Sequence, residues 1–308
     1  VIICCGEALI DFVPMTGADG ARGYRPCIGG SPLNVAIAAA RLGVPTGFLT
    51  RLSSDFFGDQ LADGLAGNGV DLGYVTRAEQ PSTLAFVSLA PGEEPQFAFY
   101  SENAADRSLA PEDLPRALPA AVECLQLGSI SLMQEPSATT LEGLMRRESG
   151  RRVLSLDPNV RPGVIRDRRD WARRLEGWIT LVDVVKVSRA DLEWLYPEEA
   201  PEAVARRWQA SGPALVVMTR GGDGAVAFTG HRRLAMPGRS VEVADTVGAG
   251  DAFHAGLLAS LRAQGLLRRE PLAAAGEAEL AAALDFAGRV AAITCSRHGA
   301  DPPRREEL

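Results

Sequence analysis

Among its 32 basic residues the 308-residue chain has a single lysine, Lys186, and it carries only three histidines (His231, His254, His298), far apart in sequence. Its five cysteines (Cys4, Cys5, Cys27, Cys124, Cys295) are odd in number and form no C-x-x-C pair, which suits reduced thiols and gives no zinc site. The scattered histidines argue against a His-based metal centre. No apolar run approaches the ~20 residues of a membrane span. With a net charge of −7 and no dense Lys/Arg patch, the chain lacks the clustered positive charge that nucleic acid or an anionic membrane surface requires. The run Val1 to Cys5 is short, has no basic flank and meets Glu7, so it reads as a first core strand and not as a secretory leader. A cytoplasmic protein is expected. What the chain has in quantity is apolar residue, 46% of the total, ample for a large core.

Strand-like and helix-like segments alternate for most of the length, the pattern of a mostly parallel sheet covered on both faces, a three-layer α/β/α fold. Continuous apolar runs predict central strands at Val1–Cys5, Gly47–Leu52, Cys124–Leu127, Val153–Leu156, Val182–Val187, Ala214–Thr219 and Ala225–Phe228. Helices are expected over Asn34–Leu42, Gln60–Ala66, Ala138–Arg147, Trp171–Ile179, Glu202–Ala210, Ala252–Leu261 and Glu277–Ile293. Ser31 is the N-cap candidate of the first of these, with Pro32 opening it and Gly43 just past its end. One region breaks the alternation. Thr83–Leu89 and Gln96–Tyr100 read as a hairpin joined by Ala90–Pro95. With Ala8–Val13 and the segment around Tyr24–Ile28 it would form a small sheet, a lid built from about 8–30 and 83–101 on a single domain spanning 1–308. A lid over a ligand, an ordinary hairpin and a dimer-forming sheet all fit that pattern.

The motif Asp245-Thr246-Val247-Gly248-Ala249-Gly250-Asp251 joins the strand-like run Val241–Ala244 to an apolar helix. Helix-start N–H groups lack intrahelical acceptors and sit at the positive end of the macrodipole, so they bind anions. Gly248 and Gly250 clear the approach, and Asp251 places a carboxylate beside it. Alone, Asp251 could equally be an ordinary N-cap. Early in the chain Gly29-Gly30-Ser31-Pro32-Leu33-Asn34 sets two glycines before a helix whose Asn34 amide can both donate and accept. Asp11 follows the first strand, on the crevice side of an open α/β sheet. Lys186 is a compact cation that an Arg-rich composition did not replace.

Gly29-Gly30…Asn34 and Asp245 to Asp251, in that order, resemble the two signatures of the ribokinase-like (PfkB) carbohydrate kinase family. Between them, Phe99-Tyr100, Ala104-Ala105-Asp106, Asp157-Pro158-Asn159-Val160-Arg161 and Lys186-Val187-Ser188 look most like the fructokinase and 2-keto-3-deoxygluconate kinase branch. The resemblance implies Asp251 as the base, and the amides of Gly248, Ala249 and Gly250 as an anion hole for the phosphoryl group. It implies sugar contacts from Asp11, Gly29, Gly30, Asn34, Asn103 and Arg161. Nucleotide contacts would come from Lys186, Ser188, Thr219, Gly221, Gly224 and Gly250. Mg2+ would accompany ATP, with Asp191 near it, one methylene shorter than the family's glutamate. A monovalent cation such as K+ would meet the loop at Asp245 and Val247. The family usually has glycine where this chain has Ser53; if that position needs a positive φ, Ser53 strains the turn, with local adjustment and a retained fold expected.

These readings point to a small-molecule kinase acting on a sugar and ATP, fructose first among acceptors because Glu102, near Tyr100, stands where 2-keto-3-deoxygluconate would want a cation. That acid sugar is the alternative substrate. A sugar-binding paralogue without catalysis is the alternative of another class, though its mark, loss of the base or the glycines, is missing. Homodimerisation through the lid would follow the family.

Overall fold

The computed structural model describes residues 1–17, 19–88, 96–230 and 232–308. In chain order, β1 (Ile2–Cys5) is followed by β2 (Leu9–Thr16), β3 (Arg22–Gly29), α1 (Ser31–Arg41), β4 (Thr46–Ser53), α2 (Phe56–Gly67) and β5 (Asp71–Ala78). Then come β6 (Thr83–Ser88), β7 (Gln96–Tyr100), β8 (Cys124–Gly128), α3 (Ser137–Glu148), β9 (Val153–Asp157), α4 (Arg168–Ile179), β10 (Val184–Ser188) and α5 (Arg189–Leu195). The chain continues through α6 (Pro201–Ser211), β11 (Leu215–Thr219), β12 (Ala225–Phe228), β13 (Arg233–Met236), α7 (Ala249–Ala263), α8 (Arg269–Ala274) and α9 (Glu277–Cys295).

Nine strands form one sheet in the order β13-β12-β11-β10-β9-β8-β1-β4-β5. It is parallel from β11 to β5, and β12 and β13 add on antiparallel. Helices cover both faces, as the alternation requires: α1, α2, α7, α8 and α9 pack on one side and α3 to α6 on the other, each face with its own apolar cluster. The strands β1, β8 and β9 are buried along their whole length, which is why they read as unbroken apolar runs. A second, smaller sheet, β3-β2-β6-β7, gathers the segments expected to make a lid. The stretch Leu89 to Pro95 that joins its last two strands lies outside the described residues, as does His231.

Two expectations, the cap of α1 and a strand before the Asp245 motif, are corrected. Gly30, not Ser31, is the N-cap of α1, and Ser31 is already helical; Gly43 does end that helix, with φ +81°. Val241–Ala244 forms no strand; it faces solvent in part, with Val243 59% exposed, so it has neither a sheet edge nor a core to pair with. Ser53 does not adopt a positive φ; it closes β4 buried, and its hydroxyl accepts the Asp55 N–H at 3.0 Å. That bond supplies the turn without strain. Finally, β5, β13, α5 and α8 were not foreseen. No helix among the described residues is long and apolar enough to cross a membrane.

Candidate active site

A cavity of about 640 Å³ opens at the carboxyl ends of the parallel strands, between the main sheet and the lid. Its wall brings together Asp11, Gly30, Asn34, Arg161, Lys186, Ser188, Asp191, Thr219, Gly221, Val247, Gly248, Gly250 and Asp251. These come from segments separated by most of the chain length. The topology gathers them because every parallel strand delivers its carboxyl end to the same edge.

Gly248 is the N-cap of α7, with φ +73°. A Cβ there would lie 2.5 Å from that of Ala300, so both the left-handed backbone and the contact with the C-terminal segment exclude a side chain. At Gly250 an added Cβ would stand 2.9 Å from Lys186 Nζ. The lone lysine thus lies directly beneath the first turn of α7. Its ammonium donates to Asp157 Oδ2 at 2.8 Å, and both side chains are buried. Burial disfavours the charge on Lys186, yet Asp157, with help from Asp251 and Asp191, holds its pKa above the ordinary value. A fixed cation and the helix-start amides of Gly248 and Gly250 therefore converge on one spot, the requirement for stabilising charge on a phosphoryl group, whereas the Ala249 N–H, expected to join them, is given to Thr246 O at 3.2 Å.

Asp251 lies in the first turn of α7, 7% exposed. Ser31 Oγ donates to its Oδ1 at 2.6 Å and Asn34 Nδ2 to its Oδ2 at 2.9 Å. Burial raises its pKa to about 6, against the pull of Ser31, Asn34 and Lys186. A carboxylate so tuned is ionised at neutral pH yet basic enough to take a proton from a hydroxyl. Asp11, on the lid strand β2, is pushed up to about 7 by burial, with Arg161 opposing and Asp251 reinforcing the rise. The Arg161 guanidinium lies 5.7 Å from the centre of the Phe97 ring, which with Phe99 lines the lid side of the cavity.

Other predicted residues lie off the cavity wall. Ala249 follows Gly248 in the helix start. Gly29 pairs with Leu9 in the lid and backs onto the Asp11 carboxylate. Gly224 closes the turn after β11, with its N–H donating to Gly221 at 3.0 Å. Asn103 is exposed, with φ 55°. Tyr100 turns to the outer face of the lid, 5.6 Å from the Phe86 ring, and Glu102 is exposed, so neither decides the charge of the ligand. Asp245 is tied up by the N–H groups of Val247 (3.0 Å) and Gly299 (2.9 Å), which shapes the loop before α7. Asp191, by contrast, is on the wall; it accepts from Val160 N at 3.1 Å and Ser188 N at 3.3 Å, and forms a capping box on α5 with Ser188.

Sequence reasoning missed Glu7 and the role of Ser31. Glu7, 2% exposed, accepts the N–H of Ser31 at 3.3 Å, standing in for the missing side-chain cap of α1, and binds the hydroxyl of Ser131. It also missed the ion pair of Asp157 with Lys186. A carboxylate just past one apolar run, Asp157 after Leu156, and a lysine one residue short of the end of another, Lys186 before Val187, were the available signal.

The pfkB family carbohydrate kinase profile matches residues 2–307. The chain belongs to the pfkB family of carbohydrate kinases. It is 42% identical to a fructokinase of Rhizobium leguminosarum bv. trifolii over 280 residues, 91% of this chain and 85% of that protein. Its fold matches the crystal structure of Xylella fastidiosa fructokinase with bound ATP at a TM-score of 0.89 and 32% identity, over 97% of this chain and 93% of that one. A fructokinase from Vibrio cholerae O395, solved with fructose, ADP and potassium, aligns with a TM-score of 0.84 at 27% identity, covering 97% and 93% of the two chains. A carbohydrate kinase transfers a phosphoryl group to a hydroxyl group of a sugar.

Proposed function

We propose that the chain, as one kinase domain with a β lid, is an ATP-dependent fructokinase that makes fructose 6-phosphate. The observation that carries the chemistry is Asp251 held by Ser31 and Asn34 at the start of α7, with Lys186 beneath Gly250. In this reading Asp251 takes the proton of the sugar hydroxyl as its oxygen bonds to the γ-phosphorus. The bond from that phosphorus to the bridging oxygen breaks, and ADP leaves. The amides of Gly248 and Gly250 and the ammonium of Lys186 stabilise the charge on the transferring group. Asp11, Gly30, Asn34 and Arg161 orient the sugar, while Ser188, Thr219 and Gly221 face the nucleotide.

Mg2+ brought in with ATP would supply neutralisation of phosphate charge and would ask for few protein ligands. Asp191, on the cavity wall, is the protein carboxylate that would meet it. The loop that Asp245 clasps at Val247 and Gly299 is the candidate seat for K+. Five free cysteines suit the reducing cytoplasm.

A neutral sugar is favoured over 2-keto-3-deoxygluconate because Arg161 already has Asp11 as its acidic partner on the cavity wall, which leaves the carboxylate of an acid sugar without a cation of its own. In a coupled ADP-release assay fructose should exceed 2-keto-3-deoxygluconate in kcat/KM by about a hundredfold, the cost of roughly 3 kcal/mol for one misplaced charge. Turnover of the acid sugar at or above that of fructose would reverse the assignment.

The lid's outer face supports a homodimer. Phe12 and Phe86 stack at 4.7 Å, flanked by Tyr24 and Tyr100, which remain 50% and 66% exposed. Such an aromatic patch on a projecting sheet calls for a second copy. The Tyr24→Glu/Tyr100→Glu variant should sediment as a monomer where the wild type sediments as a dimer; a wild-type monomer at micromolar concentration removes this part of the reading.

A further inference from the structure

We infer that Ser31 is a positioning residue for the Asp251 base: its hydroxyl fixes the Oδ1 edge of that carboxylate and favours its charged form. The inference rests on the reading of Asp251 as base and deepens it.

Ser31 opens α1 behind Gly30, which offers no side-chain cap. A serine at a helix start ordinarily turns its hydroxyl to the helix's own amides. Here it is turned across to another helix, donating to Asp251 Oδ1 at 2.6 Å, the short distance of a charge-assisted O–H···O bond. Glu7 frees it for that use by accepting the Ser31 N–H. Glu7 is itself fixed, accepting the Ser131 N–H at 3.2 Å and the Ser131 hydroxyl. The turn after β8, the end of β1 and the start of α1 are thus linked in series to the carboxylate. Ser31, Glu7 and Asp251 are all at most 7% exposed, so the bond acts in a medium that screens it weakly.

Every other element around Asp251 presents a group that matters to its charge. From α1 comes Asn34, from β10 Lys186, from β9 Asp157 and from β2 Asp11. One turn further along α7, His254 is buried against Ser155, with Nε2 2.7 Å from Oγ. Burial and Lys186 depress its pKa to about 3, so it stays neutral throughout the working range. Against the burial that raises Asp251 to about 6, Ser31 exerts the strongest opposing pull, ahead of Asn34 and Lys186. Deleting its hydroxyl leaves the burial in place and removes that pull. The Asp251 pKa must then rise, and the acid side of the activity profile must move to higher pH.

The test compares wild type, Ser31→Ala and Ser31→Thr by kcat/KM for fructose from pH 5 to 9. In parallel, the ¹³C carboxyl resonance that vanishes in Asp251→Asn is titrated in the free enzymes. The wild type should turn at about pH 6, and Ser31→Ala about one unit higher, which is roughly a fivefold rate loss at pH 6 and about tenfold at pH 5 that recovers to within a few-fold by pH 8.5. Ser31→Thr, which keeps the hydroxyl, should titrate as wild type. An unmoved midpoint in Ser31→Ala overturns the inference, including the case where its rate falls equally at every pH, as loss of mere structural support would give. The underlying reading fails separately: if Asp251→Asn still turns over, Asp251 is not the base, whereas an inactive Asp251→Asn with an unmoved Ser31→Ala midpoint sinks only the role of Ser31.

Discussion

Asp251→Asn should lose about a thousandfold in kcat while its affinity for the sugar changes by less than about threefold. General-base catalysis contributes roughly 10² to 10⁴ in rate, and the substitution removes the base while preserving the shape of the site. Its amide oxygen can still accept from the Ser31 hydroxyl, now at 2.6 Å from Oδ1. The difficulty is Oδ2, which accepts from Asn34 Nδ2 at 2.9 Å and would become an NH₂ group. Rotation of the Asn34 amide presents its oxygen instead, so the pair survives with donor and acceptor exchanged. Isothermal titration with sugar and a rapid-quench measurement of phosphoryl transfer separate the two quantities. A variant that binds sugar poorly would make Asp251 a ligand rather than a base, and one that retains turnover would remove it from the chemistry.

Lys186→Met should be both inactive and unstable. The two losses have different causes. Asp157 is fully buried and its Oδ2 is held by the lysine, so removing the cation strands a carboxylate in a medium that cannot solvate it. Breaking one side of a buried pair costs about 3–5 kcal/mol. Adding Asp157→Asn to that variant should restore most of the stability, because the amide is neutral and can still accept the Asn159 N–H now received at 3.2 Å. Activity should not return, since the ammonium beneath Gly250 is gone. Urea denaturation of the single and double variants measures the first effect and ADP release the second. A single variant as stable as wild type would mean that the pair is not ionised and buried as described.

The parallel sheet was legible because its strands are buried on both faces and so keep an apolar run whatever their neighbours. β5 was not, because it lies at the edge, and Asp71, Thr76 and Arg77 interrupt any apolar pattern. α5 was hidden by its own capping box: Ser188 and Asp191 were read as ligands, and their hydrogen bonds to the first turn are a local structural use of the same residues. In the site, Gly248, Gly250 and Asp251 stood out because closely spaced glycines ahead of an acid have few purely structural uses. Ser31 did not, because a serine beside Gly30 and Pro32 reads as a cap, and only the packing of α1 against α7 brings its hydroxyl to Asp251. Glu7 was quoted only as the charge that ends β1. Its function as a cap depends on Ser31 and Ser131, which lie far from it in sequence. Asn103 shows the converse: its neighbours in the lid strand line the cavity, but the turn it occupies carries it outward.

The central claim is that the start of α7 directs the γ-phosphoryl group of ATP to a primary hydroxyl of fructose. Phosphorus NMR of a reaction containing ATP, Mg2+ and [6-¹³C]fructose reads this directly. The account predicts one new phosphate-ester resonance coupled to the labelled carbon, growing in step with ADP. An ester at another carbon, or ADP accumulating together with free phosphate and no sugar ester, would contradict it.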